Sequence, residues 1–374
     1  MEVFATPDLA ALPEAMFPEA AADFFSSRLW YATVIAAALP VGVAPCFVAA
    51  RRRDAVRAVF PLRLDPAGPA SLTTPYTCLH APLFATDADQ EERAAAAAAF
   101  GGFCRRYPVV RLDALAAGTR DLAALAAGAR AAGLIVRRFQ HFGNWHEDLA
   151  ERDFASYLAC RPGPLRETIR RKLRRADERT QLTMISTADG LEAGIAAFER
   201  VYARSWKGPE PFPRFNAALM RAAAPLGLLR LFILADASGP IAVQFWIVAG
   251  GTATVLKLAH DEAARALSPG TVLTARAIRS LIATDGVSGL DFGRGDDPYK
   301  SLWASRRRQR IGLLLINPRR PGGLVTLARH IAGEVSRSLR GKRPPPGRAN
   351  LGSANLGSAN LGSANPGSAN PGSD

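Results

Sequence analysis

A turn of small residues, Ser268-Pro269-Gly270-Thr271, separates an apolar, β-branched run from a run with helical spacing. The first run, residues 253–258, is typical of a strand, and the second predicts an amphipathic helix. A helix that begins at such a turn presents free backbone N–H groups and the positive end of its dipole. Phosphate oxygens bind at such positions, and Gly270 permits a close approach to a ligand. The alternative is an ordinary helix start capped by Ser268.

Ionisable residues are concentrated in the glycine-rich segment that follows this helix. Asp291 lies in a short strand-like run, and Asp296, Asp297, Tyr299 and Lys300 come after it. Carboxylates and phenols exchange protons with reacting groups, and a lysine binds anionic groups. The structural alternative is a turn whose aspartates accept hydrogen bonds from its own backbone.

Further candidates lie on the strands before the turn and after an upstream helix. Gln244 and Lys257 are polar residues on otherwise apolar strands, and His260 ends the second of these strands. Histidine is suited to general-base catalysis at neutral pH, although a lone histidine is more often structural. Three residues that follow a predicted helix are candidates for binding an acceptor: Trp206, Lys207 and Glu210.

The order of predicted elements is three strands (residues 229–235, 240–248 and 252–260), the turn, a helix and a further strand. This order resembles the GNAT acyltransferase superfamily. More narrowly, the stretches SPGTVLTARAIRSLI and LDFGRGDDPYKSLW resemble the CelD/BcsL-like acetyltransferases, which are related to the FemAB aminoacyltransferases. The resemblance covers residues 165–318 well and residues 22–151 more weakly.

The resemblance implies an α/β (α+β) fold with a mixed, splayed sheet flanked by helices, in two tandem GNAT-like domains of which the first is degenerate. It implies acetyl-CoA or a longer acyl-CoA as co-substrate, with the pantetheine along residues 242–248 or 253–259. The pyrophosphate would meet the amides of Leu267, Ser268, Gly270 and Thr271, with Gln244 and Lys257 nearby. We expect direct transfer to an amine or hydroxyl, with Asp291, His260 and Tyr299 as catalytic candidates. The acceptor would meet Trp206, Lys207, Glu210, Asp296, Asp297 and Lys300.

Two other functions remain open at this point. A FemAB-type aminoacyltransferase would take its donor from charged tRNA, and the basic helix over residues 165–179 would contact the phosphates. A non-catalytic binding module in exopolysaccharide assembly would need neither donor. For the enzyme, the family suggests a small molecule or glycan precursor as acceptor, in exopolysaccharide or envelope metabolism.

The composition of the chain indicates which classes of partner it can bind. The chain has 374 residues and a net charge of +14, which favours an anionic partner such as a nucleotide cofactor. A nucleic acid other than tRNA is not expected, because no aromatic-interleaved basic platform is present. The four cysteines and five histidines show no metal-ligand spacing, so no metal is predicted. Unpaired cysteines and the lack of a signal-peptide pattern favour the cytoplasm.

Five segments are expected along the chain. They are a degenerate GNAT-like domain (1–151), a basic linker helix (152–180), the acyltransferase domain (181–318), an amphipathic terminal helix (319–343) and a disordered tail of pentapeptides (344–374). The uncharged run 29–50 is interrupted by prolines, which favours a helix and a strand over a membrane span. For the terminal helix we favour packing against the domain, with binding to a membrane surface as the alternative.

Overall fold

The structure is a computed structural model that describes residues 1–340, with side chains through residue 332. Its strands are β1 (Glu2–Thr6), β2 (Ala44–Arg52), β3 (Ala55–Asp65), β4 (Gly68–Ser71), β5 (Leu83–Phe84), β6 (Val109–Ala116), β7 (Ile135–Asp148), β8 (Gln181–Ile185), β9 (Leu229–Asp236), β10 (Gly239–Ala249), β11 (Thr252–His260), β12 (Gly289–Asp291) and β13 (Arg306–Ile316). Its α-helices are α1 (Arg28–Ala37), α2 (Gln90–Cys104), α3 (Arg120–Ala131), α4 (Phe154–Ala159), α5 (Gly163–Asp177), α6 (Leu191–Ala203), α7 (Phe215–Ala223), α8 (Pro269–Asp285), α9 (Pro298–Trp303) and α10 (Pro321–Arg340). The tail predicted to be disordered, residues 344–374, lies outside the described residues.

The described residues form two compact units. Unit 1 contains residues 1–142 and 309–340, and unit 2 contains residues 143–308. The strands β7 and β13 are each divided between the units. These limits differ from the boundaries expected at residues 151, 180 and 318, because β13 pairs with β6, which is distant in sequence.

Unit 1 is a sheet in the order β1-β2-β3-β4-β6-β13 with β5 on β3, and α2 and α3 pack together beside it. The pairs are antiparallel except β4 with β6, so the sheet is mixed. Its apolar core includes stacked Phe60 and Phe100, whose ring centroids are 4.2 Å apart. The uncharged run near residue 40 is the helix α1 followed by the strand β2, as predicted.

Unit 2 is a mixed sheet in the order β7-β12-β11-β10-β9-β8. The strands β9, β10 and β11 are antiparallel neighbours, and β11 pairs in parallel with β12. This second ladder includes only Thr252–Thr254 of β11, so the rest of that edge, to His260, has no partner strand among the described residues. The sheet is therefore splayed beside β11, as the resemblance implied. A bulge between Phe245 and Trp246 of β10 adds to the local twist.

The helices α5 and α8 cover this sheet. Leu165, Ile169 and Leu173 of α5 are buried with Val272 and Ile278 of α8 in one apolar core. The helix expected to be a linker is therefore part of the packed core of unit 2, and its arginines occupy the exposed face.

The terminal helix α10 does not match its predicted packing. Leu324, Val325 and Ile331 are 52%, 51% and 45% exposed. Leu327 of the same face is half-buried, so the apolar face that we expected to pack against the domain is mostly open to solvent in the described part of the helix. None of the helices within residues 1–340 is long and apolar enough to cross a bilayer.

Candidate active site

The turn before α8 is closed by its own backbone. Ser268 has a left-handed conformation (φ 53°), and its side chain makes no cap. A non-glycine residue in this region costs about 1–3 kcal/mol, and such strain clusters at functional sites. The N–H of Ser268 donates to Arg265 at 2.9 Å, and the N–H of Thr271 donates to the Ser268 carbonyl at 3.0 Å. Two of the four amides predicted to bind a pyrophosphate are therefore engaged within the turn, which corrects that expectation.

Gly270 has the unengaged N–H that binding of a phosphate requires. Among the described residues, no acceptor receives a hydrogen bond from its N–H. Leu267, the other predicted donor, ends the short 3-10 helix Glu262–Leu267. Gly270 is buried, whereas Leu267, Ser268 and Thr271 are partly exposed. An anion at this turn would therefore have to approach the Gly270 amide past Leu267, Ser268 and Thr271, which are partly exposed.

His260 lies over Gly270. A Cβ atom at Gly270 would come 3.3 Å from Nδ1 of His260, so the glycine makes room for the imidazole. The ring also lies on Trp206, at 4.3 Å between centroids, and its Nδ1 has no hydrogen-bond partner in the described part of the chain. Burial lowers the pKa of His260, and the carboxylate of Glu262 only partly opposes this. The imidazole is therefore neutral at neutral pH, with a nitrogen available to accept a proton.

Three lysines and two carboxylates act on one another in the same region. Lys257 Nζ lies 2.6 Å from Oε1 of Glu210, and this ion pair is mostly buried. Burial lowers the pKa of Lys207 to about 7; repulsion by Lys257 and Lys300 acts in the same direction, and Glu210 and Asp297 oppose it. At neutral pH the Lys207 amine is therefore neutral for a large fraction of the time, and a neutral amine accepts protons.

Tyr202 is a member of this group that the sequence analysis missed. Its ring centroid lies 5.8 Å from Lys207 Nζ and 6.0 Å from Lys257 Nζ. Burial raises the pKa of Tyr202, and a hydrogen bond to Glu210 raises it further. In sequence Tyr202 belongs to the apolar stripe of α6, and its hydroxyl was the only signal of a polar role.

Tyr299 is held beside the first turn of α8. Its hydroxyl lies 3.0 Å from Thr274 Oγ1, which donates to the Gly270 carbonyl at 2.8 Å. Gln244 Nε2 lies 3.5 Å from the same threonine oxygen, and Gln244 Oε1 has no partner among the described residues. Burial raises the pKa of Tyr299 to about 12, so the phenol keeps its proton at neutral pH. Thr274 joins the predicted residues Gln244, Gly270 and Tyr299, and sequence reasoning did not single it out.

Asp297 and Lys300 organise the helix α9. Asp297 caps it, with Oδ1 accepting the Tyr299 N–H at 3.1 Å, and burial raises the pKa of the Asp297 carboxyl. Lys300 Nζ donates to the Arg294 carbonyl at 2.6 Å. Both residues were predicted to bind an acceptor, and both have structural partners. Their charges nevertheless act on Lys207, which places them near the cluster.

The carboxylate of Asp291 is held by three hydrogen bonds. Asp291 Oδ1 accepts hydrogen bonds from Asn144 Nδ2 and the Gly293 N–H, each at 2.7 Å, and Arg308 bonds to Oδ2. These contacts are typical of a carboxylate that anchors a loop, and they match the structural alternative rather than the predicted catalytic role.

Asp296 is engaged in a similar way. It accepts hydrogen bonds from Trp145 Nε1 at 2.9 Å and Arg307 Nε at 2.8 Å. The hydrogen bond from Arg307 lowers the pKa of Asp296. The carboxylate of Asp296 is thus already engaged by Trp145 and Arg307, as in a residue that supports the loop.

The strands β10 and β11 differ in whether they have a free edge beside which an extended thioester donor could lie. β10 is paired on both sides, with β9 and β11, so its backbone has no free edge. The open edge of β11 ends at His260, next to the turn that leads into α8. Of the two strands left open by the sequence, only β11 therefore has a free edge in the described part of the chain. Within the described residues, no group of three or more His, Cys, Asp or Glu side chains has the arrangement of a metal site.

Comparison with known proteins agrees with this architecture. Residues 164–301 match the family model of the acetyltransferase (GNAT) domain, and residues 346–374 match pentapeptide repeats. No curated protein matches the chain. The GNAT match spans α5, the sheet strands β8–β12 and α8, and it supports acyl transfer as the general chemistry of unit 2.

Among the solved structures that resemble the chain, FemX shares its fold at low sequence identity. The crystal structure of FemX has a TM-score of 0.55 at 12% identity, covering 85% of this chain and 98% of that chain. A domain (DUF2156) of a putative lysylphosphatidylglycerol synthetase from Agrobacterium fabrum has a TM-score of 0.48 at 12% identity, covering 74% and 85%. A tandem GNAT protein from the clavulanic acid biosynthesis pathway has a TM-score of 0.45 at 14% identity, covering 83% and 98%. The likeness to FemX is one of fold.

Proposed function

We propose that unit 2 is an N-acyltransferase that passes an acetyl or longer acyl group from acyl-CoA directly to an amine. The observation that carries this proposal is the convergence, at the open end of β11, of a histidine over Gly270 and a weakly basic lysine. The GNAT-domain match and the splayed sheet support it. The finer assignment to a CelD/BcsL-like enzyme of envelope polysaccharides is part of the proposal.

The donor would lie along the free edge of β11, with its diphosphate at the turn before α8. Lys172 of α5 donates to the Ala266 carbonyl at 2.7 Å, so the basic face of α5 adjoins this turn. Gly270 contributes an N–H that has no acceptor among the described residues, and it adds no side chain of its own to the turn. These features fit a phosphorylated donor, although Ser268 and Thr271 would have to exchange their turn bonds for phosphate oxygens.

In the transfer, the acceptor nitrogen attacks the thioester carbonyl, the new C–N bond forms and the C–S bond breaks. An ammonium must first lose a proton, and we assign neutral Lys207 as its acceptor, with His260 as a second one. Tyr299 keeps its proton at neutral pH, so it can donate that proton to the departing thiolate. The proton that the attacking nitrogen loses as the amide forms then restores the phenol. We assign Asp291 and Asp296 to the support of the loop rather than to the reaction.

Donor binding is tested by thermal shift and calorimetry with CoA and acetyl-CoA. Wild type should be stabilised by both, and Gly270→Trp should lose the effect because the indole fills the space under His260. Gly102→Trp is the matched control, since a Cβ there meets no atom within 4 Å. An equal shift for Gly270→Trp and wild type would contradict the donor site. Transfer itself is followed as free thiol released from acetyl-CoA in the presence of amino sugars and polyamines.

A second function is favoured by one observation, the exposed arginines on α5. Arg166, Arg170, Arg171 and Arg174 face solvent on the side opposite its buried stripe. Such a face suits the phosphates of a charged tRNA. An aminoacyltransferase would lose activity with ribonuclease and would bind tRNA at moderate salt, whereas the acyl-CoA enzyme would do neither.

A further inference from the structure

The start of α10 and the end of α2 form one rigid corner in unit 1. Asn317, which is buried, donates from Nδ2 to the Arg105 carbonyl at 2.7 Å and accepts the Arg319 N–H at 2.9 Å. Its own N–H donates to the Pro108 carbonyl at 2.9 Å. A Cβ at Gly323 would lie 2.0 Å from the Asn317 carbonyl oxygen, so the first turn of α10 is packed tightly onto this corner.

Four arginines line a cleft at the corner. They come from the end of α2 and from the segment before α10, and the cleft is lined by Gly102, Arg105, Arg106, Asn317, Arg319 and Arg320. All four arginines are exposed, and within the described residues none of them is paired with a carboxylate. Guanidinium groups bind phosphate oxygens in a bidentate manner, so a cleft of this kind suits a phosphate group.

An exposed apolar stripe begins where this cleft ends. Leu324, Ala328 and Ile331 recur at helical spacing on one side of α10, with Val325 and Ala332 next to them, and all five are exposed. In a globular domain the apolar face of a helix normally faces the core. Here it faces away from unit 1, and it is continuous with the arginine cleft through Arg320 and Pro321. We call the cleft and the stripe together the basic-apolar face.

We propose that the basic-apolar face docks unit 1 on an anionic membrane surface, with the arginines at lipid phosphates and the stripe of α10 in the interface. An interfacial helix of this kind buries its apolar side at the boundary between headgroups and acyl chains, and basic residues beside it add electrostatic attraction. The four arginines, none of which is paired with a carboxylate in the described part of the chain, select an anionic lipid over a second copy of this chain, because two copies would bring eight arginines together.

The test is co-sedimentation of the full chain with vesicles. Binding should be strong to equimolar phosphatidylglycerol and phosphatidylcholine, weak to phosphatidylcholine alone, and should decrease as salt is raised. Arg319→Glu/Arg320→Glu and Leu324→Glu/Ile331→Glu should each weaken binding by at least about tenfold. The matched control is Arg170→Glu/Arg171→Glu on α5, which makes the same charge change in unit 2 and should leave vesicle binding within about twofold of wild type.

Other occupants give different results, and each of them overturns the proposal. A second copy on the stripe predicts a dimer by light scattering that Leu324→Glu dissociates, with no vesicle binding. A cleft for free phosphate alone predicts a thermal shift with inorganic phosphate and no co-sedimentation. A nucleic-acid surface predicts retention on RNA, lost in Arg319→Glu/Arg320→Glu, and again no co-sedimentation. Circular dichroism and melting curves confirm that each variant is folded before binding is compared.

Discussion

Glycine is used in opposite ways by the two units. In unit 1, Gly101 and Gly128 bring α2 and α3 into backbone contact, and a Cβ at Gly128 would come 2.4 Å from the Ala97 carbonyl. In unit 2, Gly270 leaves space that a histidine side chain occupies at 3.3 Å. Backbone contact cannot relax, whereas a side chain can move. The same residue type thus serves tight helix packing in one unit and a polar site in the other.

The two units also differ in the ionisable residues of their interiors. Around the stacked Phe60 and Phe100 of unit 1 lie Leu112, Leu115 and Leu125, with His80 as the one ionisable member. Burial lowers the pKa of His80 to about 4, and the charge of Asp113 only partly opposes this, so this histidine is neutral. In unit 2, by contrast, Lys207 interacts with two other lysines and two carboxylates: Lys257, Lys300, Glu210 and Asp297.

Replacing Lys207 should have the largest effect. We expect Lys207→Met to lower kcat/KM for acyl transfer by about 10²–10⁴-fold, because the proton acceptor is lost. In wild type kcat/KM should rise as pH increases through about 7, where the Lys207 amine becomes neutral. Lys207→Arg keeps the charge but cannot lose its proton. If that variant keeps full activity, the lysine binds a substrate anion and is not a base.

Lys207→Met should lower activity but raise the stability of the folded protein. The pKa of Lys207 is lowered from 10.5 to about 7 on folding, so the unfolded chain holds more protons between these values. Wild-type stability should therefore rise with pH across this window. Lys207→Met should melt about 2–4 °C higher at pH 7 for each kcal/mol relieved, and the gain should disappear near pH 10.5. A gain that is constant with pH would point to packing instead of charge.

Matched glycine substitutions test the comparison directly. Gly128→Ala should cost about 1–3 kcal/mol in the free energy of unfolding, because the new methyl group meets backbone. Gly270→Ala should cost less than about 1 kcal/mol, because His260 can shift, but it should reduce activity. Chemical denaturation and acetyl-CoA turnover measured on both variants decide the matter. Equal losses of stability would mean that Gly270 is a packing residue as well.

Asp291→Asn separates an anchoring role from a catalytic one. Losing a carboxylate that is bonded to Asn144, Gly293 and Arg308 should lower the free energy of unfolding by about 1–3 kcal/mol. Activity should fall in proportion to the displacement of the loop, with an unchanged pH profile. A variant with native stability and a more than thousandfold loss of kcat would restore the catalytic role that the sequence suggested.

The smallest expected effect concerns the basic face of α5. Arg171→Ala should raise KM for acyl-CoA only a few-fold, and the difference should vanish at high salt, since exposed charges are screened. Arg200→Ala, on the exposed side of α6, serves as the control. A KM effect that persists in high salt would indicate direct contact with the donor.

Much of the local structure was predictable because it depends on neighbouring residues. The hairpin of β9 and β10, the strand β11 and the start of α8 at Pro269 follow from turn residues and apolar periodicity. Most of the candidate residues could also be identified from the sequence, because a polar side chain on an apolar strand or just after a helix stands out in the order of residues. Tyr202 and Thr274 were missed, since a single hydroxyl in an apolar stripe resembles an ordinary core position.

The sequence by itself determined the order of strands, turn and helix, the basic charge, and the residue types available for acyl transfer. Only the tertiary structure decided which of them are free to act. In the folded protein the Ser268 and Thr271 amides are hydrogen-bonded within the turn, and Asp291 anchors a loop. Burial lowers the pKa of His260 and brings the pKa of Lys207 to about 7. The fold also leaves most of the apolar side of α10 exposed. These outcomes depend on burial and on charges from residues distant in sequence, and neither is encoded in the spacing of neighbours.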